Sequence, residues 1–322
     1  MENVRPPFSV DIAGTFLVPQ ALRNAREEFK VGKINQQMLR EIEDSEIRTL
    51  VERLKTIGLK VVTDGNFRTS SWLLDFMCSL DGIQLHPVKK TTVELVRRIC
   101  VHRHPVIDDF VFLTGITGGD VIAKQVLPAP SFVLSRLLKD ASEQVSYIYP
   151  VIDDLFDDIN RIYQRVVSAL YESGCRYVQF YDTTRVISPN SIHLNNMVLN
   201  VLPEDLFVAF HAPAEMLIST IGVNAFLLDY DDECCSRYKL LWFVKEKKSM
   251  FGFIPSHYPD DEEIDELRTK IEEVRRYIPL DRLSLCIPNA QVLPSEKYEV
   301  AQEKQWHTLE MAMKVAKKLY GY

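Results

Sequence analysis

The sequence is poor in glycine: 12 in 322 residues, none gathered into a G-x-G-x-x-G or P-loop turn after an apolar run. A doubly wound nucleotide-binding sheet uses such a turn to bring backbone N–H groups onto phosphates, so this absence counts against that fold. Cysteine is scarce too. Cys78, Cys100, Cys175, Cys234, Cys235 and Cys286 are scattered with no C-x-x-C spacing, which excludes a zinc ribbon and a disulfide framework and leaves reduced thiols as the expectation. No apolar run approaches the roughly 20 residues needed to span a bilayer. The opening Met1-Glu2-Asn3-Val4-Arg5-Pro6-Pro7 carries no apolar signal segment, so a cytoplasmic location is expected. The net charge is -7, with no stripe of Lys and Arg interleaved with aromatics. Nucleic acid and anionic membranes are therefore not expected partners. A small-molecule substrate is, with a homo-oligomer left open.

What the chain does have is 46% apolar and 26% charged residues, enough to bury a large core. Apolar positions at Leu39, Ile42, Ile47, Leu50, Val51, Leu54 and Ile57 have helical spacing, Gly58 closes the pattern, and Leu59-Lys60-Val61-Val62 reads as a strand. The alternation returns when Ile152 to Leu170 forms a helical face, Gly174 breaks it, and Tyr177-Val178-Gln179-Phe180 follows. Further strands are expected at Val10 to Gly14, Phe110 to Leu113, Leu206 to Phe210, Ala225 to Leu228, Ser249 to Ile254 and Leu283 to Cys286. A last amphipathic helix is expected near Val300 to Tyr320. Eight strands alternating with helices predict an α/β protein of the (β/α)8 TIM barrel class, as one domain over residues 1–322. A hairpin insertion over the barrel mouth is expected at residues 85–105.

This fold puts chemistry at the C-terminal ends of its strands. Those ends carry Thr15; Asn66 and Arg68, with Trp72 beyond; Tyr181, Asp182 and Arg185; His211; Asp229; and His257. Each has a structural alternative. His211 reads as an acid/base group or as a histidine bonded to a backbone carbonyl. Asp182 and Arg185 read as substrate contacts or as an ion pair, and Trp72 as pocket wall or core. His102 and His104, flanking Arg103, read as surface residues.

In order and spacing these pieces resemble the cobalamin-independent methionine synthase family, particularly its short single-barrel members. The matching segments are Ala13-Gly14-Thr15-Phe16-Leu17-Val18-Pro19, Glu43-Asp44-Ser45-Glu46-Ile47, Gly58 to Gly65, Leu127-Pro128-Ala129-Pro130-Ser131, Gly174 to Gln179, Leu228 to Glu233 and Ile278 to Leu283. The resemblance implies a uroporphyrinogen decarboxylase-like barrel, methyl transfer to a thiol such as homocysteine, and a zinc ion held by His, Cys, Glu and Cys. On this chain those metal positions fall at His211, Pro213, Asp229 and Asn289, so both thiolates are missing. The amino-acid-binding carboxylates fall at Asn66 and Tyr181, while the small hydroxyl is kept as Thr15. No cofactor is expected on this account, with zinc at His211 and Asp229 as the alternative.

Three readings stay open. One is a diverged barrel enzyme without zinc-thiolate chemistry, with His211 as acid/base aided by Asp182 or Asp229 and with Thr15, Asn66, Arg68, Trp72, Tyr181, Arg185 and His257 around the substrate. Another is a methyltransferase with an atypical zinc site. The last is a non-catalytic binding protein.

Overall fold

The computed structural model describes residues 6, 8–182, 184, 188–211, 223–230, 250–255, 269, 271, 272, 275, 276, 279–287 and 297–320. In chain order the first half runs β1 (Val10–Ile12), α1 (Gln20–Lys30), α2 (Gln36–Ile57), β2 (Val61–Val62), α3 (Trp72–Cys78), β3 (Asp81–Leu85), β4 (Val93–Cys100), α4 (Val106–Thr117), β5 (Ile122–Ala123), β6 (Gln125–Pro128), α5 (Pro130–Asp140) and α6 (Ser142–Ile148). There follow α7 (Ile152–Glu172), β7 (Tyr177–Tyr181), α8 (Pro189–Leu199), β8 (Phe207–His211), β9 (Ala225–Tyr230), β10 (Met250–Pro255), β11 (Leu283–Ile287) and α9 (Tyr298–Tyr320). No helix among the described residues is long and apolar enough to cross a membrane.

The chain divides into two compact units. The first comprises Met1–Arg68, Gly115–Ile122 and Leu227–Tyr322; the second comprises Thr69–Thr114 and Ala123–Phe226. In the first unit β1 pairs in parallel with β11, and β11 with β10, with Val10 opposite Leu285 and Phe251 opposite Leu283. Helix α2 begins where the Asn35 side chain accepts the Met38 N–H at 2.9 Å, a side-chain cap for an otherwise unpaired donor. It ends at Gly58, whose φ of 103° is a left-handed C-cap that side chains resist. Leu39, Ile47, Leu50, Val51 and Leu54 make its buried stripe, so packing more than propensity holds its 22 residues. From α9, the buried Gln305 donates to the Thr15 carbonyl at 2.9 Å and accepts the Leu17 N–H at 3.0 Å. That side chain fixes the path of the chain leaving β1.

In the second unit β6, β7 and β8 are parallel and in step: Pro128 lies opposite Tyr181, and Tyr181 opposite His211. These strands are almost wholly buried, as expected where helices cover a parallel sheet. Helix α7 contributes Leu155, Phe156, Ile159, Ile162, Tyr163, Val166, Val167 and Leu170 to the core. A hairpin is present, but over residues 81–100 and not 85–105, as antiparallel β3 and β4, and it is bound to helices: the Tyr149 hydroxyl accepts the Ile99 N–H at 2.7 Å, Arg98 reaches Asp158 at 2.9 Å, and Asp140 accepts the Val93 N–H at 3.0 Å. Burial pushes the Asp158 pKa up, but hydrogen bonds from Arg98, Arg161 and Tyr149 outweigh it and leave the net shift downward.

Two expectations are corrected. Phe110 to Leu113 is helical, inside α4, where Ile107, Phe110 and Leu113 are buried at a spacing of three. The helix start is made by His104, whose Nδ1 accepts the Val106 N–H at 3.2 Å, with Asp108 and Asp109 in the first turn. His104 is itself buried, its Nε2 3.1 Å from the Phe76 carbonyl and its ring 4.4 Å from that of Phe76, so it is not a surface residue. The strand that the pattern concealed is β6, fully buried although it follows Lys124 and contains Gln125 and Pro128.

Candidate functional site

The level ends of β6, β7 and β8 gather the titratable candidates of the second unit. Beyond β6 the chain turns at Ala129, whose N–H reaches the Tyr181 carbonyl at 2.8 Å, and Pro130 starts α5. This turn presents Ser131, fully buried, whose hydroxyl donates to Asp182 Oδ2. The other carboxylate oxygen of Asp182 accepts the Thr184 N–H at 2.7 Å and the Thr184 hydroxyl at 2.6 Å. Asn195, projecting from α8, accepts the Ser131 N–H at 3.0 Å and donates to its hydroxyl at 2.9 Å. Asp182 is 2% exposed. Burial pushes its carboxyl above the ordinary carboxylate value, and the bonds from Ser131 and Thr184 only partly offset that. Complete burial raises the Tyr163 pKa, and the nearby Asp182 carboxylate adds to it; the Tyr163 hydroxyl donates to the Pro128 carbonyl at 2.5 Å.

His211 ends β8. Its carbonyl accepts the Asp182 N–H at 2.8 Å, and its ring meets Tyr181 edge-on, centroids 4.7 Å apart. Tyr181 in turn meets Trp72 edge-on at 5.5 Å. His211 is buried, whereas Trp72 and Tyr181 are half-buried. The result is an aromatic wall running from a partly open indole to a buried imidazole, with Asp182 tied to the His211 backbone beside it. Edge-to-face contacts of this kind fix ring orientation. Of the residues singled out in the sequence, Trp72, Tyr181, Asp182 and His211 are thus brought together.

The strand ends of the first unit are built differently. The Phe16 N–H reaches the Gly65 carbonyl at 3.3 Å, which sets the segment bearing Thr15 beside the turn after β2. In that turn Gly65 and Asn66 have φ of 68° and 59°, and Asp64 Oδ1 accepts the Asn66 N–H at 2.9 Å. Asparagine tolerates this left-handed geometry better than most residues. The left-handed φ at position 65 favours glycine, and a Cβ there would also come within 2.7 Å of Leu50 Cδ2, so that side chain would have to move. Arg68 faces α2: Nη2 lies 2.7 Å from Asp44 Oδ1 and Nη1 3.5 Å from Glu43 Oε2, with the Arg68 side chain 3% exposed. A groove of about 390 Å³ in this unit opens between α2 and α9, against Leu50, Arg53, Phe67, Trp306 and His307.

Arg185, His257, Pro213 and Asn289 lie outside the described residues, as does the side chain of Asp229, whose backbone is in β9. Sequence reasoning missed Ser131 as a partner of Asp182, although it stands in the quoted Pro-Ala-Pro-Ser run. It missed Asn195 entirely. Nothing local marks an asparagine in α8 as the partner of a serine 64 residues earlier.

No family model matches the chain. Two uncharacterized proteins of Bacillus subtilis, YxjG and YxjH, are 27% and 28% identical to it, over 98% and 97% of this chain and 96% and 94% of theirs. Among solved structures, a candidate vitamin-B12-independent methionine synthase from Listeria monocytogenes superposes with a TM-score of 0.79 at 27% identity, covering 98% of this chain and 99% of that one. A B12-independent methionine synthase from Shewanella, solved with selenomethionine, gives 0.72 at 15% identity, and a methyltransferase from Methanosarcina mazei gives 0.57 at 12%. Each covers 98% of this chain. The parallel strands and covering helices therefore belong to the (β/α)8 barrel fold of methionine synthase-like proteins.

Proposed function

We propose that this chain is a diverged methionine synthase-like enzyme that acts on a small molecule by acid/base chemistry, with His211 as the group that takes up and returns a proton. The carrying observation is the level ending of β6, β7 and β8, which sets His211 against Tyr181 and bonds its carbonyl to the Asp182 backbone. Asp182 is the second titratable group, because burial favours its protonated form. Trp72 and Tyr181 form the substrate wall on the half-buried side.

Zinc of the His-Cys-Glu-Cys kind does not fit this donor set. Proline at 213 has no donor, asparagine at 289 offers a neutral amide, and only His211 and Asp229 carry metal-binding groups at the four positions. One imidazole and one carboxylate fall two thiolates short of that site. No step is therefore routed through a metal. A second reading, methyl transfer to a thiol, is favoured by the full-length likeness to the Listeria protein.

Turnover assayed on a panel of thiols, amino acids and small acids decides between them. The acid/base reading expects His211→Ala to abolish turnover while ligand affinity holds. Stoichiometric zinc in protein purified without added metal, lost on His211→Ala, would establish the methyl-transfer reading instead.

A further inference from the structure

We propose that Asp81, Cys100 and His102 form a three-ligand site for a divalent cation of the zinc class at the open end of the β3–β4 hairpin, apart from the strand-end chemistry above. Their donor atoms, a carboxylate oxygen, Sγ and an imidazole nitrogen, all lie within 4.8 Å of one another. Cys100 Sγ is 3.7 Å from Asp81 Oδ2, and His102 Nε2 is 3.9 Å from the same oxygen. A tetrahedral zinc ion with bonds of about 2.3 Å to sulfur and about 2.1 Å to nitrogen and oxygen needs donor separations of about 3.4–3.6 Å. The two separations from Asp81 therefore exceed those of a bound ion by a few tenths of an ångström, and the third, between Cys100 and His102, is within 4.8 Å, a gap that rotation of two exposed side chains closes.

The hairpin supplies this juxtaposition through its backbone. Asp81 is the register partner of Cys100. The pairing slips between Asp81 and Ile83, around Gly82, where φ is 94° and a Cβ would meet the Arg97 and Arg98 carbonyl oxygens at 2.7 Å. Only glycine fits that bulge. Beyond β4, Val101 is buried and its carbonyl accepts from Arg165 at 2.6 Å. With Val101 turned inward, Cys100 and His102 face outward two residues apart.

The neighbouring arginines are each answered by a carboxylate. Arg97 Nη2 holds Asp81 Oδ1 at 3.1 Å, orienting the carboxylate so that Oδ2 is the ligand, as outer-shell partners do. Arg98 and Arg103 are engaged with Asp158 and Asp108. Thiolate plus imidazole plus carboxylate selects zinc over magnesium or calcium, and three protein donors leave the fourth position to water.

The test is titration of the reduced, metal-stripped full chain with Co²⁺, then with Zn²⁺ in competition with a chromophoric chelator. One equivalent of Co²⁺ with a thiolate-to-cobalt charge-transfer absorption is expected. Cys100→Ser should remove the absorption, and His211→Ala should leave it intact. His102→Ala, at a side chain 87% exposed and so without consequence for folding, should weaken Zn²⁺ by about tenfold or more, since even outer-shell losses cost about 10–100-fold. An absorption that survives Cys100→Ser, a Zn²⁺ affinity unchanged in His102→Ala, or no one-equivalent binding at all overturns the proposal.

Discussion

Arg68, beyond β2 in the first unit, and Asp182, directly after β7 in the second, both take an ionisable group out of water, yet their surroundings differ in kind. Arg68 is answered by formal opposite charges, Asp44 at 2.7 Å and Glu43 at 3.5 Å. Asp182 is answered by neutral donors, the Ser131 hydroxyl and the Thr184 hydroxyl and N–H. A charge met by opposite charges at close range pairs with them and serves the fold. A carboxyl paired only by dipoles in a buried place is biased towards its proton and can change state. Polar residues at strand ends therefore differ in use according to what faces them, which residue type alone does not disclose.

The sharpest way to break that contrast is Arg68→Ala. It leaves the buried Glu43 and the half-buried Asp44 with only the longer contacts to Arg40, at 4.0 and 3.8 Å, and a loss of about 3 kcal/mol in denaturant-unfolding free energy, the lower end for a broken buried pair, is expected. A loss under 1 kcal/mol, roughly the median of exposed pairs, would erase the distinction. Asp158→Asn comes next. Asp158 accepts from Arg98 and Tyr149 at 2.9 Å each and from Arg161, so about 1–3 kcal/mol should be lost. Its pKa is depressed in the folded chain, so its contribution is complete above the unfolded value of 3.8 and disappears as pH falls through the lower folded value. Urea midpoints of wild type and variant should accordingly converge at the acid end.

Asp182→Asn sharpens the comparison with the opposite sign. The folded pKa of Asp182 is raised, so ionisation at neutral pH opposes folding and the variant should be no less stable there. The wild type should regain ground as pH falls through that raised value, which paired denaturation curves between pH 7 and pH 4 would register. The smallest effect is expected at His104. Burial depresses its pKa despite the Phe76 carbonyl and Asp109, so stability tied to the neutral ring is present above 6.5 and is lost as pH falls below it. Thermal midpoints of the wild type should drop modestly between pH 7.5 and pH 5.5, by less in His104→Asn.

The α2, α7 and α9 helices and most strands were legible because their apolar spacing is long and regular. Phe110 to Leu113 was misread since four consecutive apolar residues carry no period, and the capping role of His104, which decides the matter, is a tertiary fact. Strand β6 was hidden because a buried lysine, a glutamine and a terminal proline break the pattern of a buried strand. The strand count of eight was thus reached with one wrong member. At the candidate site, His211, Tyr181, Asp182 and Trp72 stood out in the sequence at expected strand ends, and the structure brings these four together. Ser131 and Asn195 were not, because their partnership joins α5 to α8 and exists only once the chain has folded. Arg68 shows the converse: its charge was visible, but its commitment to α2 was not.

The most direct test of the central claim is turnover and ligand affinity measured on the same His211→Ala preparation, with metal content determined alongside. The account predicts a fall in turnover of about 10²–10⁴-fold, the usual worth of a positioned acid/base group, with affinity unchanged and a metal content that is the same in wild type and variant. Turnover retained in the variant, or zinc bound by the wild type and lost with the imidazole, would contradict it.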